Sequence, residues 1–387
     1  MKKVCFISIV KTINDLKSEW IIQNNKPFDI CSELLTSFYQ ENYPIELVEY
    51  TDADIHTSII VSFSTNIFYE NPAALVVLKN VFDTNCKNIF VDLSSYDNQE
   101  ISTDVYDFCR KECNRELYFL DKNLISVSND IIYYEQHMWH AIHNLISNDV
   151  LNSFNTINKW EKRHIRPFKG LFLSGHIRFH KIQLLNYFYE KNLLENNFIW
   201  SSTDENWEPD CFDIFVPKDK QDEYRKFKIL ERVPHWPDFD SNELLKTKNY
   251  SPNVNISHYL NTYFEIILET QFYHKDGNRK DWNNISEKTF KAIRMGNPFI
   301  MVSKPNTLKL LKDKFGFDFE MNDWLHEYDT IEDDVIRMNN ISKRIETLLS
   351  GNSLHDLYYK YIETKNNNTI FIENFYKQTL KTIYNKF

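Results

Sequence analysis

Short apolar runs alternate with helix-length stretches through the first third of this chain, and the alternation begins again after Pro167. Residues 4–10, 45–50, 58–63, 88–92 and 124–128 read as strands, with helices expected over 28–40 and 73–84. Alternation of this kind folds as a parallel sheet covered on both faces and places ligands outside the carboxyl ends of the strands. A second series opens with the strand 169–174. The loop 175–181 then leads to a helix holding Leu184, Leu185, Phe188 and Leu193. With 387 residues, 42% hydrophobic and 15% aromatic, the chain can bury two cores, and ordinary domain sizes favour two domains over one. The expected fold class is α/β with two Rossmann-like domains, over 1–150 and 169–360, joined by a polar linker over 151–168.

A helix is expected over 131–148. His137, His140 and His143 lie three apart on it, and packing or surface roles outweigh a metal triad, which needs tighter convergence and a partner carboxylate. Periodicity fades over 201–255, where Trp207, Trp236 and four prolines punctuate a charged stretch that reads as an insertion or lid. A strand resumes at 263–270. Further on, 308–311 reads as helix, 317–319 as strand and 331–349 as helix. The last amphipathic helix covers 371–384, within a terminal segment 361–387.

Composition narrows the chemistry. Only six glycines occur, and neither G-x-G-x-x-G nor G-x-x-x-x-G-K-[ST] is present. A bound nucleotide is therefore to be held by side chains and helix ends instead of a glycine-rich loop. The formal charge of −10 argues against a protein that wraps nucleic acid. The run 159–181 nevertheless gathers Lys159, Lys162, Arg163, Arg166, Lys169, Arg178 and Lys181, enough to line one anion-binding groove or to form a solvated linker. Six cysteines lack disulfide or zinc spacing, which points to a reducing compartment and no bound metal. Residues 4–10 are too short for a signal peptide, are followed by Lys11 and read better as a first buried strand. No run approaches the ~20 apolar residues of a membrane span, so a soluble, cytoplasmic protein with no membrane partner is expected.

The most specific stretch is 285–302. A polar loop enters a short helix at Ser286, a suitable N-cap; Phe290 and Ile293 give it a buried face, and Gly296 is placed to end it before the apolar strand 299–302. Glu287 and Lys288 fall in the first turn. A helix N-terminus carries unpaired N–H groups and partial positive charge, so this end suits a phosphate, with Lys288 for the anion and Glu287 for ribose hydroxyls. By the same strand-to-helix logic, Arg178 and Lys181 are the natural first phosphate contacts of the preceding turn.

Residues 286–292 (SEKTFKA), followed by 296–300 (GNPFI), resemble the donor-binding signature of GT-B glycosyltransferases, nearest the fucosyltransferase and exostosin-like groups and related proteins of large tailed phages. The resemblance continues through 306–311, 315–317 and 326–329, and upstream through 167–169 to His180 and Lys181. It covers roughly the second half of the chain. It implies a GT-B arrangement with an acceptor-binding first domain, a nucleotide-sugar-binding second domain and a terminal helix returning to the first. The implied activity is metal-independent transfer of a sugar from a nucleotide-sugar donor to an acceptor that is a glycan, protein or nucleic acid, with the donor as co-substrate and no other cofactor. In that reading Lys288, Arg178 and Lys181 hold the diphosphate, Ser286 caps the helix and Glu287 meets the ribose. Glu269, at a strand end, faces the same cleft or else orients Lys288 or caps the next segment.

Transfer also needs positive charge at the leaving diphosphate and, for inversion, a general base. Asp92, at the carboxyl end of a strand, is the first candidate base and Glu135 the second. Asp52-Ala53-Asp54 and Asp238-Phe239-Asp240 match a short metal-binding pattern, but neither closes a buried strand. A second reading stays open: a GT-B-like binding or structural protein without catalysis, for instance a phage accessory component.

Overall fold

The computed structural model describes residues 1–14, 17–24, 34, 37–39, 41–63, 72–93, 103–121, 129–133, 165–173, 178–195, 197–201, 218–227, 256–273, 285–319, 327–351, 354–364 and 366–387. The chain divides into two units, one made of Met1–His143 with Glu373–Phe387 and the other of Asn144–Ile372. Among the described residues, no helix is long and apolar enough to cross a membrane.

The first unit is built on β1 (Lys2–Asn14), β2 (Lys17–Asn24), β3 (Ile45–Leu47), β4 (Thr57–Phe63), β5 (Asn88–Asp92), β6 (Glu116–Asp121) and β7 (Ile131–Tyr133). Their order is β2-β1-β4-β5-β6-β7, with β3 also paired to β1. All pairings are parallel except the β1–β2 hairpin. On one face Ile59, Val61, Ile89, Val91 and Phe119 pack with Leu78, Val81 and Phe82 of α1 (Pro72–Phe82) and Val105 and Cys109 of α2 (Thr103–Glu112). Cys5, Cys86, Cys109 and Cys113 are buried free thiols.

Two expectations for this unit change, and one strand is found where none was expected. Lys17–Asn24 forms a strand that its mixed pattern did not announce, because a hairpin partner supplies the ladder from Ile7 to Asn14. Ile131 opens a strand, not a helix: Phe119, Leu120 and Asp121 offer a parallel edge to Ile131, Ile132 and Tyr133, and β-branched and aromatic side chains suit it. The expected strand 45–50 ends at Leu47 and gives way to a 3-10 turn at Tyr50–Asp52. The segments 64–71, 94–102, 122–128 and 134–164, which include Glu135 and the three histidines, lie outside the described residues.

The second unit holds β8 (Gly170–Leu173), β9 (Phe198–Ser201), β10 (Phe264–Leu268) and β11 (Phe299–Val302), all parallel in the order β11-β10-β8-β9. Its helices are α3 (Phe179–Glu190), α4 (Glu287–Met295), α5 (Thr307–Phe315), α6 (Asp334–Ser350) and α7 (Leu354–Thr364). One core joins Phe172, Trp200, Ile266, Leu268 and Ile300 to Ile182, Leu185 and Phe188 of α3 and Ile341 and Ile345 of α6. Gly170 is required here, since a Cβ would lie 2.5 Å from the Phe198 ring. Phe317 and Phe319 are buried and Asp318 is exposed, but residues 317–319 form no strand. The Asn368 side chain takes both backbone groups of Asp318, at 2.8 and 2.7 Å, in place of a ladder, while Phe317 packs on Phe371 and Phe319 on Phe299. Most of 201–255 lies outside the described residues.

The last helix, α8 (Asn366–Lys386), contains the division between the units. Within the first unit its end is tied down by three donors: Lys2 Nζ to the Tyr384 carbonyl at 2.8 Å, Asn88 Nδ2 to that of Lys386 at 2.8 Å and Lys87 Nζ to that of Phe387. These satisfy carbonyls that a helix end leaves open. Phe387 meets Phe90 and Phe38 at ring-centroid distances of 5.0 and 5.3 Å.

Candidate functional site

In the second unit the winding starts at β8, runs outward to β9, then returns past β8 to β10 and β11. The order therefore reverses between β8 and β10, and the carboxyl ends of these two strands mark the switch point at which doubly wound sheets take ligands. Two helices begin there, α3 after β8 and α4 after β10.

Ser286 is the N-cap of α4, extended in backbone, with its Oγ accepting from the Lys288 N–H at 3.4 Å. Gly296 ends the helix at φ 59°, a left-handed position that favours glycine. Beneath this start lies Glu269, fully buried just past β10. Its two oxygens accept from the Ser286 N–H at 3.1 and 3.2 Å, and one also accepts from the Thr289 hydroxyl. Of the roles open to Glu269, this geometry matches the cap: a carboxylate spends its lone pairs on donors of the first turn, which would otherwise be orphaned.

Glu287 and Lys288 remain on the outer side of that turn as an ion pair, Nζ to Oε1 2.7 Å, with side chains 19% and 29% exposed. Facing them is the start of α3. Arg178 is its N-cap residue, extended and half-buried. His180 is buried, stacks on Phe272 at 5.3 Å and lies 3.1 Å through Nε2 from the Glu269 carbonyl. Burial, then the charge of Lys181, holds the His180 pKa well below its ordinary value. The ring is thus neutral, and a carbonyl only accepts, so Nε2 carries the proton and ties α3 to β10.

Lys181 is only 2% exposed. Burial, then Lys288 and Arg178, pull its pKa down to about 7 against the opposing pull of Glu269 and Glu287. Those couplings place Arg178, Lys181, Glu269, Glu287 and Lys288 in one electrostatic cluster. With Lys181 protonated, three cations face two carboxylates at two helix N-termini, an arrangement suited to a multiply charged anion.

Of the rest of the basic run, Lys159, Lys162 and Arg163 lie outside the described residues, and Arg166 and Lys169 do not join them. Arg166 is buried with its guanidinium on the Tyr259 carbonyl and the Tyr358 hydroxyl, 4.2 Å above the Tyr358 ring. Lys169 donates to the Leu349 carbonyl. Strand β8 lies between Lys169 and Arg178 and carries the two groups to opposite ends of the sheet, about 13 Å apart at ~3.3 Å per residue. A single groove lined by the whole run is therefore excluded for these residues.

Asp92 closes β5 of the first unit and is 1% exposed, while Glu135 lies outside the described residues. Asp54 sits in the turn before β4, at the amino end of the sheet, bonded to Lys3, His56 and Thr57. Among the described residues no group of His, Cys, Asp and Glu is disposed to hold a metal ion. Sequence reasoning passed over His180 and Thr289 as site-builders; each adjoins a residue it did select, but their common partner, Glu269, is 89 and 20 positions away. No protein-family model matches this chain, and no curated protein matches it.

Proposed function

We propose that the chain is a nucleotide-sugar-dependent glycosyltransferase of GT-B type, with the donor diphosphate held at the switch point of the second unit. The observation that carries this reading is the coupling of Arg178, Lys181 and Lys288 at the two helix starts that follow β8 and β10. Positive charge placed there meets the negative charge that grows on a departing diphosphate, which is the main electrostatic demand of glycosyl transfer. Side chains supply it, so the reading is metal-independent. Glu287, beside Lys288 and partly exposed, accepts from ribose hydroxyls; Ser286 and Glu269 set the helix that presents both. The first unit, a mainly parallel sheet with its own reversal at β1 and β4, takes the acceptor.

One observation favours a second reading, a donor-binding protein without catalysis. Asp92, the first candidate base, is nearly inaccessible, and a general base has to reach the acceptor hydroxyl. A thermal-shift screen against UDP-, GDP-, dTDP- and CMP-sugars tests the donor site common to both readings. A ligand at ~100 times its dissociation constant stabilises by about 2.7 kcal/mol. Stabilisation by one nucleotide class supports the site, and sugar release or transfer from that donor then separates enzyme from binder.

A further inference from the structure

Lys181 is the side chain that the donor reading leaves least explained. It lies on the first turn of α3, 2% exposed, and among the described residues its ammonium makes no hydrogen bond or ion pair. Among the described residues, the groups acting on it are Lys288 and Glu287 from the first turn of α4, Arg178 from the N-cap of α3 and Glu269 from the end of β10, with His180 beside it on its own helix. Both carboxylates are engaged elsewhere: Glu269 with Ser286 and Thr289, Glu287 with Lys288. Among the described residues, the buried Lys181 thus has two cations near it and no carboxylate paired with it.

We propose that this amine couples ligand capture to protonation: Lys181 takes a proton from solvent as a diphosphate enters, so that the site binds its anion together with one proton. The inference rests on the donor-site reading above. Its physical basis is the charge balance. In the empty site, burial and the two neighbouring cations make the ammonium costly, and its pKa sits near 7. A diphosphate brings two negative charges into the same site and reverses the balance, which raises the pKa of the amine in the complex. Linkage then requires the ligand to prefer the protonated form and to draw a proton in wherever the free amine is neutral. The sign follows directly. Affinity is flat below about pH 7 and falls as pH rises above it, by about tenfold between about pH 6 and pH 8. Proton uptake is close to zero at the lower pH and close to one per ligand at the higher. Burial holds the His180 pKa well below its ordinary value, the opposite of what a group drawing in a proton above neutrality requires.

The test is calorimetric titration of the full chain with UDP-glucose and with GDP-mannose, diphosphate diesters whose phosphates do not titrate near neutrality. Each is run at about pH 6 and pH 8 in buffers of contrasting ionisation enthalpy. The expected result is a binding heat that depends on the buffer at the higher pH and not at the lower. Binding at both values with no buffer dependence overturns the coupling and leaves the donor site standing. Failure of both probes to bind at either pH overturns both. Lys181→Gln, checked for folding by circular dichroism, assigns the proton: it is expected to bind with the same affinity at both values. A variant that kept the tenfold fall would overturn the role of Lys181 in favour of another group. Should Lys181→Gln not fold, the wild-type buffer series decides alone.

Discussion

Asp329 carries a buried carboxylate at the start of α5, accepting from the Leu308 and Lys309 N–H groups at 3.1 Å each. Burial raises its pKa to about 6, and the backbone donors only partly offset this. The folded value lies above the unfolded one, so between about pH 4 and pH 6 the folded state binds the proton more tightly. Stability from this group therefore falls as pH rises through that window and is level above it. Replacing Asp329 by Asn removes the titration. In urea melts across the window the wild type is expected to lose on the order of 1–3 kcal/mol relative to Asp329→Asn; a constant gap would show that the N–H bonds cancel burial. At this scale the sequence was informative wherever the chemistry is local. Ser286, Glu287 and Lys288 are contiguous, so cap, charge and helix end could be read together. Arg166 and Lys169 misled for the converse reason: proximity in sequence to Arg178 and Lys181 hid the strand that separates them.

Among the elements, α4 has its first turn held by a residue well outside it in sequence. Glu269 precedes Ser286 by 17 positions and Thr289 by 20, yet it holds the donors of both. Glu269→Ala leaves a buried N–H and hydroxyl without partners, and is expected to cost about 1–3 kcal/mol in denaturant unfolding and to raise hydrogen exchange at the first turn of α4. Unchanged stability and exchange would mean that Ser286 alone fixes the helix. No periodicity rule reveals such a tie, because it depends on which strand end lies under which helix. The same limit explains the other element-level differences. The strand at Ile131–Tyr133 exists because an edge of β6 is available, and residues 317–319 lack strand geometry because Asn368 supplies their hydrogen bonds. By contrast β4, β5, β8, β10, β11 and α1 were legible from apolar runs of the right length, since both faces of their sheets are buried.

For the whole molecule, the tertiary assignment with the plainest consequence is that Glu373–Phe387 belongs to the first unit. Leu380, Ile383 and Phe387 are almost fully buried there, and removing them exposes apolar surface worth about 1.5–3 kcal/mol per side chain. Deletion of 373–387 is expected to strip exchange protection from β1, β4 and β5 while β8 and β10 keep theirs; uniform loss or uniform retention would refute that assignment. The central claim concerns the other unit, where three coupled cations lie at the two helix starts that follow β8 and β10. Its most direct measurement is calorimetric titration of the wild type, Lys288→Ala and Glu287→Gln with the best nucleotide sugar from the thermal-shift screen. The account predicts that Lys288→Ala loses on the order of 1.5–3 kcal/mol of binding free energy, the worth of a charge-assisted contact, and that Glu287→Gln weakens binding while leaving folding intact. Equal affinities across the three proteins would contradict it.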